Sequence, residues 1–330
     1  MDVKGVEGLI KEMRAQIEAL DRKVLELLDK RMSLVETVGR AKALLGLPIE
    51  DRRREEELLQ KLCSAPTLCL DPEEIRGFFQ VVFGLSVLKQ MRFFHASPKG
   101  PFKVCVSLLP KDQEELEEAL VLCEKKKVEM LELRLDRAKG SLCLGDGRRP
   151  EGLVLTNRRR AEGGFFKGEE KERIWLLKEY MRRLSPDYVD LEWLTPEGLK
   201  EDLIAEKGKA KVILSYHHLD GTPDPQVLME LLWRMSEDGA DVYKVVTMAH
   251  KLEDSLKVLY FLMWARSEGF EVIGHAMGRW GKLSRILSPL FGAPFAYAAL
   301  SWGKEAAPGQ MTPEELRLSW TLLGRWLADA

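Results

Sequence analysis

The sequence predicts two domains of different class: an all-α segment over residues 1–94 that intertwines with a second copy, and an α/β TIM (β/α)8 barrel over 102–330, joined by a linker at 95–101. Three observations predict this. A chain of 330 residues exceeds the usual single domain. Up to residue 92 its apolar residues recur at helical spacing, and from 102 onward eight short β-rich runs alternate with amphipathic stretches.

In chain order, Val6, Ile10, Met13, Ile17, Leu20, Val24, Leu27, Leu34 and Val38 form one stripe with no internal proline up to about Leu45. A helix of that length would run about 60 Å, beyond the width of so small a domain, so a partner chain is expected to cover the stripe. A second helix follows Asp51. A third opens with Asp71 as N-cap and Pro72 at the first helical position, and continues through FFQVVFGLSVLKQM.

Arg31 and Lys42 occupy positions where the stripe calls for apolar residues. They are three turns apart on nearly the same face, which suits an anion. Arg14 lies about 26 Å from Arg31 and is rotated by about 100°, so it could join that site only from an antiparallel partner. Taken singly, each of these cations is more often a solvated flank residue, and only the pattern taken together points to an anion site.

The linker FFHASPKGP mixes proline, glycine and small polar residues, and its His95 reads as a surface residue. The eight strand-like runs are 102–109, 128–136, 152–158, 187–192, 211–219, 241–248, 270–277 and 295–300, with helical patterns at 112–126, 167–184, 224–238, 251–268 and 312–328. In such a barrel the active site lies at the C-terminal ends of the strands. Arg134, Arg158, Asp190, Glu192 and His217 fall in the later half of their runs, and Glu132 and Lys244 near the middle of theirs. Lys244 stands inside the apolar run DVYKVVTMA; apolar surroundings would disfavour its ammonium and leave an amine able to attack a carbonyl, whereas the plain alternative is a lysine that snorkels to water.

Composition narrows the partners. A formal net charge of -2 argues against nucleic acid or an anionic membrane as a bulk partner, and leaves small anionic substrates open. No signal-like start or bilayer-length apolar run is evident, so a cytoplasmic location is expected. The five cysteines, Cys63, Cys69, Cys105, Cys123 and Cys143, lack paired spacing and nearby histidines, and read as reduced thiols rather than a disulfide or metal framework.

The motifs MRAQIEALDRKVLELLDKR, GRAKALLGLPIEDRRREEELL and FFQVVFGLSVLKQ resemble the all-helical chorismate mutase family from about residue 5 to 92. That resemblance implies carboxylate binding by Arg31 and, across a dimer, by Arg14. It implies donors to the breaking ether oxygen at Lys42 and Gln90, with Asp51, Arg54, Glu55 and Ser86 completing the pocket. The run Arg52, Arg53, Arg54 leaves the arginine register open. A pericyclic rearrangement of chorismate to prephenate needs only positioning and electrostatics, which such a set supplies.

The motifs LELRLD, LTNRRRAEGG, LSYHHLDGTP, DVYKVVTMA, MGRWGKLSR and AAPGQM resemble type I 3-dehydroquinate dehydratase from about 102 to 328. The resemblance implies that Lys244 forms a Schiff base with 3-dehydroquinate, that His217 is the general acid and base, and that Glu162 orients it. Ser107, Glu132, Arg134, Arg158, Arg285 and Gln310 would bind the substrate, with no metal or organic cofactor. This sequence departs from the family at His218, where an acid is usual, and at Ala306, where many relatives carry serine. Adjacent strand residues face opposite ways, so one histidine of the pair reaches the barrel mouth, and the motif points to His217. Gly278 and Gly281 read as a tight strand-to-helix turn rather than a phosphate cradle.

The expectation is a bifunctional enzyme of aromatic amino-acid biosynthesis acting on chorismate and 3-dehydroquinate, assembled as a homodimer or larger. An alternative keeps the dehydratase and makes the helical domain a non-catalytic dimerisation or effector-binding module. Another Schiff-base chemistry, such as an aldolase, would require the His217, Arg285 and Gln310 matches to be accidental.

Overall fold

The computed structural model describes residues 3–45, 51–91, 102–145 and 150–328. The expected linker, with His95, lies outside the described residues. The chain divides into a helical unit that includes residues 1–99 and a barrel unit of residues 100–320.

The helical unit contains α1 (Val3–Leu45), α2 (Arg52–Cys63) and α3 (Pro72–Met91). Asp51 caps α2 by accepting from the Arg54 amide at 3.1 Å. Asp71 caps α3 through the Glu73 and Glu74 amides, and the Glu74 carboxylate returns to the Asp71 amide, so the orphan donors of that helix start are satisfied reciprocally. Both α1 and α2 pack on α3. Gly39 permits the closest approach, since a Cβ there would stand 2.9 Å from Gln90 Cγ. Among the described residues the buried apolar set is Leu59, Ile75, Val82, Phe83 and Val87. The stripe of α1 is uncovered in the single chain, with Ile17, Leu27 and Leu34 each more than half exposed.

In the barrel unit, β1 (Lys103–Leu108), β2 (Met130–Arg134), β3 (Gly152–Thr156), β4 (Tyr188–Glu192), β5 (Lys211–His217), β6 (Val242–Met248), β7 (Val272–Met277) and β8 (Phe295–Ala299) form one parallel sheet in the order β7-β6-β5-β4-β3-β2-β1-β8. All eight expected runs become strands, each trimmed by up to a few residues. The helices α4 (Gln113–Lys125), α5 (Glu170–Leu184), α7 (Pro225–Ser236), α8 (Leu252–Ser267) and α10 (Pro313–Ala328) fall on the predicted patterns. Two further short helices, α6 (Glu197–Ala205) and α9 (Lys282–Leu287), did not stand out by periodicity. No helix joins β2 to β3 among the described residues.

The sheet nearly closes. No backbone ladder links β7 to β8 among the described residues, but His275 and Tyr297 meet across that seam with ring centroids 6.1 Å apart. Inside, Cys105, Met130, Val154, Ile213, Val242, Ile273 and Phe295 form an apolar layer against which Tyr188 packs. Because side chains alternate along a strand, the next inward residue of each strand lies two positions further on. Those residues are Ser107, Glu132, Thr156, Asp190, Ser215, Lys244, His275 and Tyr297. An apolar floor with a polar layer directly above it, toward the C-terminal strand ends, is the arrangement from which the site is built.

Candidate active sites

The polar layer opens into a cavity of about 260 Å3 lined by Ser107, Glu132, Arg134, Arg158, Glu162, His217, Lys244, His275, Tyr297 and Gln310 among others. Lys244 is 4% exposed. Its surroundings correct the expectation of an apolar setting: Nζ donates to Asp190 Oδ2 at 2.8 Å, stands 3.8 Å from Glu132 Oε1, and lies 4.2 Å from the centroid of the Tyr297 ring. The run around Lys244 is apolar because its alternate residues face the helices. Its own face belongs to the polar layer.

Asp190 is held from several sides. Arg158 Nη2 lies 2.8 Å from its Oδ1 and Ser215 Oγ donates to the same oxygen at 2.6 Å. Burial alone would raise the Asp190 carboxyl, but the charges of Arg158 and Lys244 outweigh it and hold the carboxyl below its ordinary range. Arg158 reaches Ser215 Oγ at 2.7 Å and Glu192 at 3.2 Å. Glu192 is fixed from behind by the fully buried Arg173, 2.5 Å away, which also reaches the Asn157 carbonyl and Thr195. Arg134 is clamped by Asp136 at 2.7 and 2.8 Å, and Glu132 accepts from Thr156 at 2.8 Å.

Of the two adjacent histidines, His217 lines the cavity, while the His218 ring bonds to the Gly221 carbonyl at 3.0 Å. Glu162 Oε2 lies 3.0 Å from His217 Nδ1 and accepts from the His217 amide at 3.1 Å, so one carboxylate oxygen fixes both the backbone and the ring. Burial, together with the cations Arg158 and Lys244, keeps the His217 imidazole neutral far below its ordinary titration range. Burial raises Glu162 to about 7, and its other oxygen has no hydrogen-bond partner. A neutral imidazole facing the cavity can take a proton, which the base of an elimination must do.

Arg285 sits behind the loop 306–310, where Nη2 donates to the Pro308 carbonyl at 3.4 Å. Its Nε and Nη1 are buried with no partner, and burial lowers the group to about 9. A guanidinium with two unmet donors is completed by an anion. Gln310 lines the cavity and its Oε1 accepts from the Ala306 and Ala307 amides at 2.6 and 3.3 Å, pinning this loop. The loop is also clasped to the end of β7. Gly278 donates to Pro308 O at 3.0 Å, and a Cβ at Gly309, where φ is +78°, would fall 2.2 Å from Gly278 O. Gly278 and Gly281 form the tight turn into α9, as their spacing suggested.

In the helical unit, Arg31 Nη1 donates to Ser86 Oγ at 2.5 Å and the guanidinium lies over Phe83. Burial lowers Arg31 from its ordinary value, and Glu55 opposes that effect. Gln90 is buried beside Ser86; its Nε2 donates to Ser86 O at 3.3 Å and its Oε1 has no partner. Lys42 is half-buried, Asp51 and Arg54 stand at the exposed start of α2, and Arg14 is exposed on α1. One chain therefore gathers Arg31, Glu55, Ser86 and Gln90, and leaves Arg14 far off along α1.

Reading the sequence did not assign roles to His275, Tyr297, Thr156, Ser215 or Asp136. The signal that could have found the inward ones is register: two residues beyond each apolar floor residue. Among the described residues, no group of three or more His, Cys, Asp or Glu side chains is arranged to hold a metal, and all five cysteines are free thiols, with Cys105 and Cys123 buried.

Comparison with known proteins gives two family matches. Residues 104–325 match the model of type I 3-dehydroquinase, and residues 13–91 match that of chorismate mutase type II. A 3-dehydroquinate dehydratase of Methanopyrus kandleri is 37% identical over 229 residues, covering 67% of this chain and 100% of the relative. That of Pyrococcus abyssi is 38% identical over 176 residues, covering 53% of this chain and 77% of the relative. The crystal structure of the Geobacillus kaustophilus enzyme superposes with a TM-score of 0.61 at 27% identity, covering 68% of this chain and 92% of that one.

Proposed function

The chain belongs to the type I 3-dehydroquinase family, and we propose that its barrel dehydrates 3-dehydroquinate to 3-dehydroshikimate through a Schiff base on Lys244. With the chorismate mutase type II segment ahead of the barrel, it is a bifunctional shikimate-pathway enzyme that also converts chorismate to prephenate.

The observation that carries the barrel's chemistry is one buried lysine sharing a cavity with a neutral histidine, while an incompletely bonded arginine, Arg285, contacts Pro308 of the cavity wall. Arg285 takes the substrate carboxylate on C1, and Glu132, Arg134, Arg158, Ser107 and Gln310 take the remaining oxygens. The Lys244 amine, after giving up its proton, adds to the C3 ketone, and loss of water leaves a protonated imine. His217 removes a proton from C2, and the electron pair is drawn into the imine to give an enamine. The enamine then expels the C1 hydroxyl, which takes the proton from His217 and leaves as water. Hydrolysis of the conjugated imine frees the product and restores the amine. Glu162 keeps the His217 ring in place through the cycle. Borohydride reduction in the presence of 3-dehydroquinate should add the substrate-derived mass to the Lys244 peptide; an unmodified peptide under conditions of turnover would rule this reading out.

In the helical domain, Arg31 holds one carboxylate of chorismate, and Lys42 and Gln90 meet the ether oxygen as negative charge grows on it. Asp51, Arg54, Glu55 and Ser86 complete the pocket, with Arg14 of a second copy supplying the other cation. The uncovered stripe of α1 supports that dimer, since so much apolar surface on one helix calls for a partner. The domain limits are 1–94 and 102–330, with the linker between. Among the described residues no helix is long and apolar enough to cross a membrane, and we place the enzyme in the cytoplasm. The test is chorismate consumption by the full chain and by Arg31→Ala. Prephenate formed by the first and not by the second supports two sites, while no turnover by a folded dimer would reduce the helical domain to a structural or effector-binding module.

A further inference from the structure

His275 occupies the inward polar layer on β7, two residues beyond Ile273 of the apolar floor. It lines the cavity together with Lys244 and His217, and is 6% exposed. Its ring faces Tyr297, whose buried hydroxyl has no partner. Neither nitrogen of His275 has a hydrogen-bond partner among the described residues. The ring stands on β7, paired with the strand β6 that bears Lys244 and leading into α9 that bears Arg285, and burial together with the charges of Arg285 and Lys244 holds the imidazole neutral. A buried imidazole normally has both nitrogens engaged, so this one awaits a bond from whatever fills the cavity.

The place of His275 in the barrel indicates which part of the ligand it meets. If Arg285 holds the carboxylate on C1 and Lys244 the carbon at C3, a ring that lines the cavity beside β6, on the strand that leads into α9, faces the edge of the substrate that runs from C1 to C3. The leaving hydroxyl is on C1. We propose that His275 is a second catalytic histidine, whose ring N–H donates a hydrogen bond to the departing C1 hydroxyl and aligns it for the proton returned by His217. The proton balance of the reaction is unchanged: the C2 proton goes to His217 and from there to the hydroxyl, and His275 gives up no proton. This inference rests on the dehydratase reading. It divides the labour within the cavity, with His217 serving the C–H bond and His275 the C–O bond.

The two bonds can be read separately. In deuterium oxide, exchange at C2 reports proton removal, and 3-dehydroshikimate formation reports loss of the hydroxyl. His275→Leu is expected to retain the borohydride-trapped adduct on Lys244 and to retain C2 exchange. Its elimination should slow about 100- to 1,000-fold, the range for losing one donor to developing negative charge. The ratio of exchange to elimination then rises by that factor, with KM nearly unchanged. His275→Gln, which keeps a donor, should recover part of the loss. A ratio within twofold of the wild type in both variants would overturn the proposal. So would loss of the adduct in both, which would make His275 a support for Lys244 rather than a partner of the hydroxyl. Failure of the wild-type protein to form any adduct would instead remove the dehydratase reading itself.

Discussion

Glu162→Gln separates the cost of a buried carboxylate from the benefit of an oriented imidazole. Glu162 is 5% exposed, one of its oxygens has no hydrogen-bond partner, and burial lifts it from 4.5 to about 7. The folded protein therefore keeps this proton to higher pH than the unfolded chain does. The associated stability is fully present below about pH 4.5 and is lost as pH rises to about 7. At about 1.4 kcal/mol per pH unit, the wild type should lose about 2–3 kcal/mol through this group between pH 5 and pH 8, and Glu162→Gln should lose none of it. His217 works in the opposite window, since a depressed imidazole costs stability as pH falls below 6.5. Its causes are burial, Arg158 and Lys244, all of which persist in the variant, so the comparison subtracts it. No tryptophan precedes Trp175 and seven of the eight lie within the barrel unit, so urea unfolding followed by tryptophan fluorescence reports mainly that unit. The same variant should lose activity, because the glutamine cannot stabilise the imidazolium formed when His217 takes the C2 proton. Equal pH dependence of stability in the two proteins, within about 0.5 kcal/mol, would refute the assignment of a raised carboxyl at Glu162.

Three further perturbations follow from contacts already described. Asp190→Asn strips a charge that Lys244 and Arg158 share, and should cost the barrel about 3–5 kcal/mol in urea unfolding, with loss of dehydratase activity; a variant as stable as the wild type would show that Glu132 and Glu192 suffice. Gly309→Ala forces a side chain into a left-handed backbone position against Gly278 O, which should displace the loop over Arg285 and raise KM for 3-dehydroquinate about tenfold, an effect of about 1–2 kcal/mol; an unchanged KM would mean that the loop does not contribute to binding. Gly39→Ala pushes α1 away from Gln90 and should abolish chorismate turnover with the dehydratase rate preserved; parallel loss of both activities would tie the two domains together functionally.

The helical stripe from Val6 to Val38, the caps at Asp51 and Asp71, and all eight strands could be read from the sequence, because each depends on residues within a few positions of one another. The class of each domain followed from counting such elements, and the motifs pointed to Lys244, His217 and Arg285. What the sequence left undetermined is pairing across distance. Asp190 meets Lys244 across 54 positions, Glu162 meets His217 across 55, and Arg31 meets Ser86 across 55. Lys244 looked like a cation in apolar surroundings because its neighbours in sequence are apolar, yet its neighbours in space are carboxylates. His275 was silent for the same reason: nothing beside it in the chain marks it as functional. The inward register of eight strands had to be set by closing the sheet before Ser107, Glu132, Asp190, Lys244, His275 and Tyr297 came to share one layer, and only the tertiary structure does that.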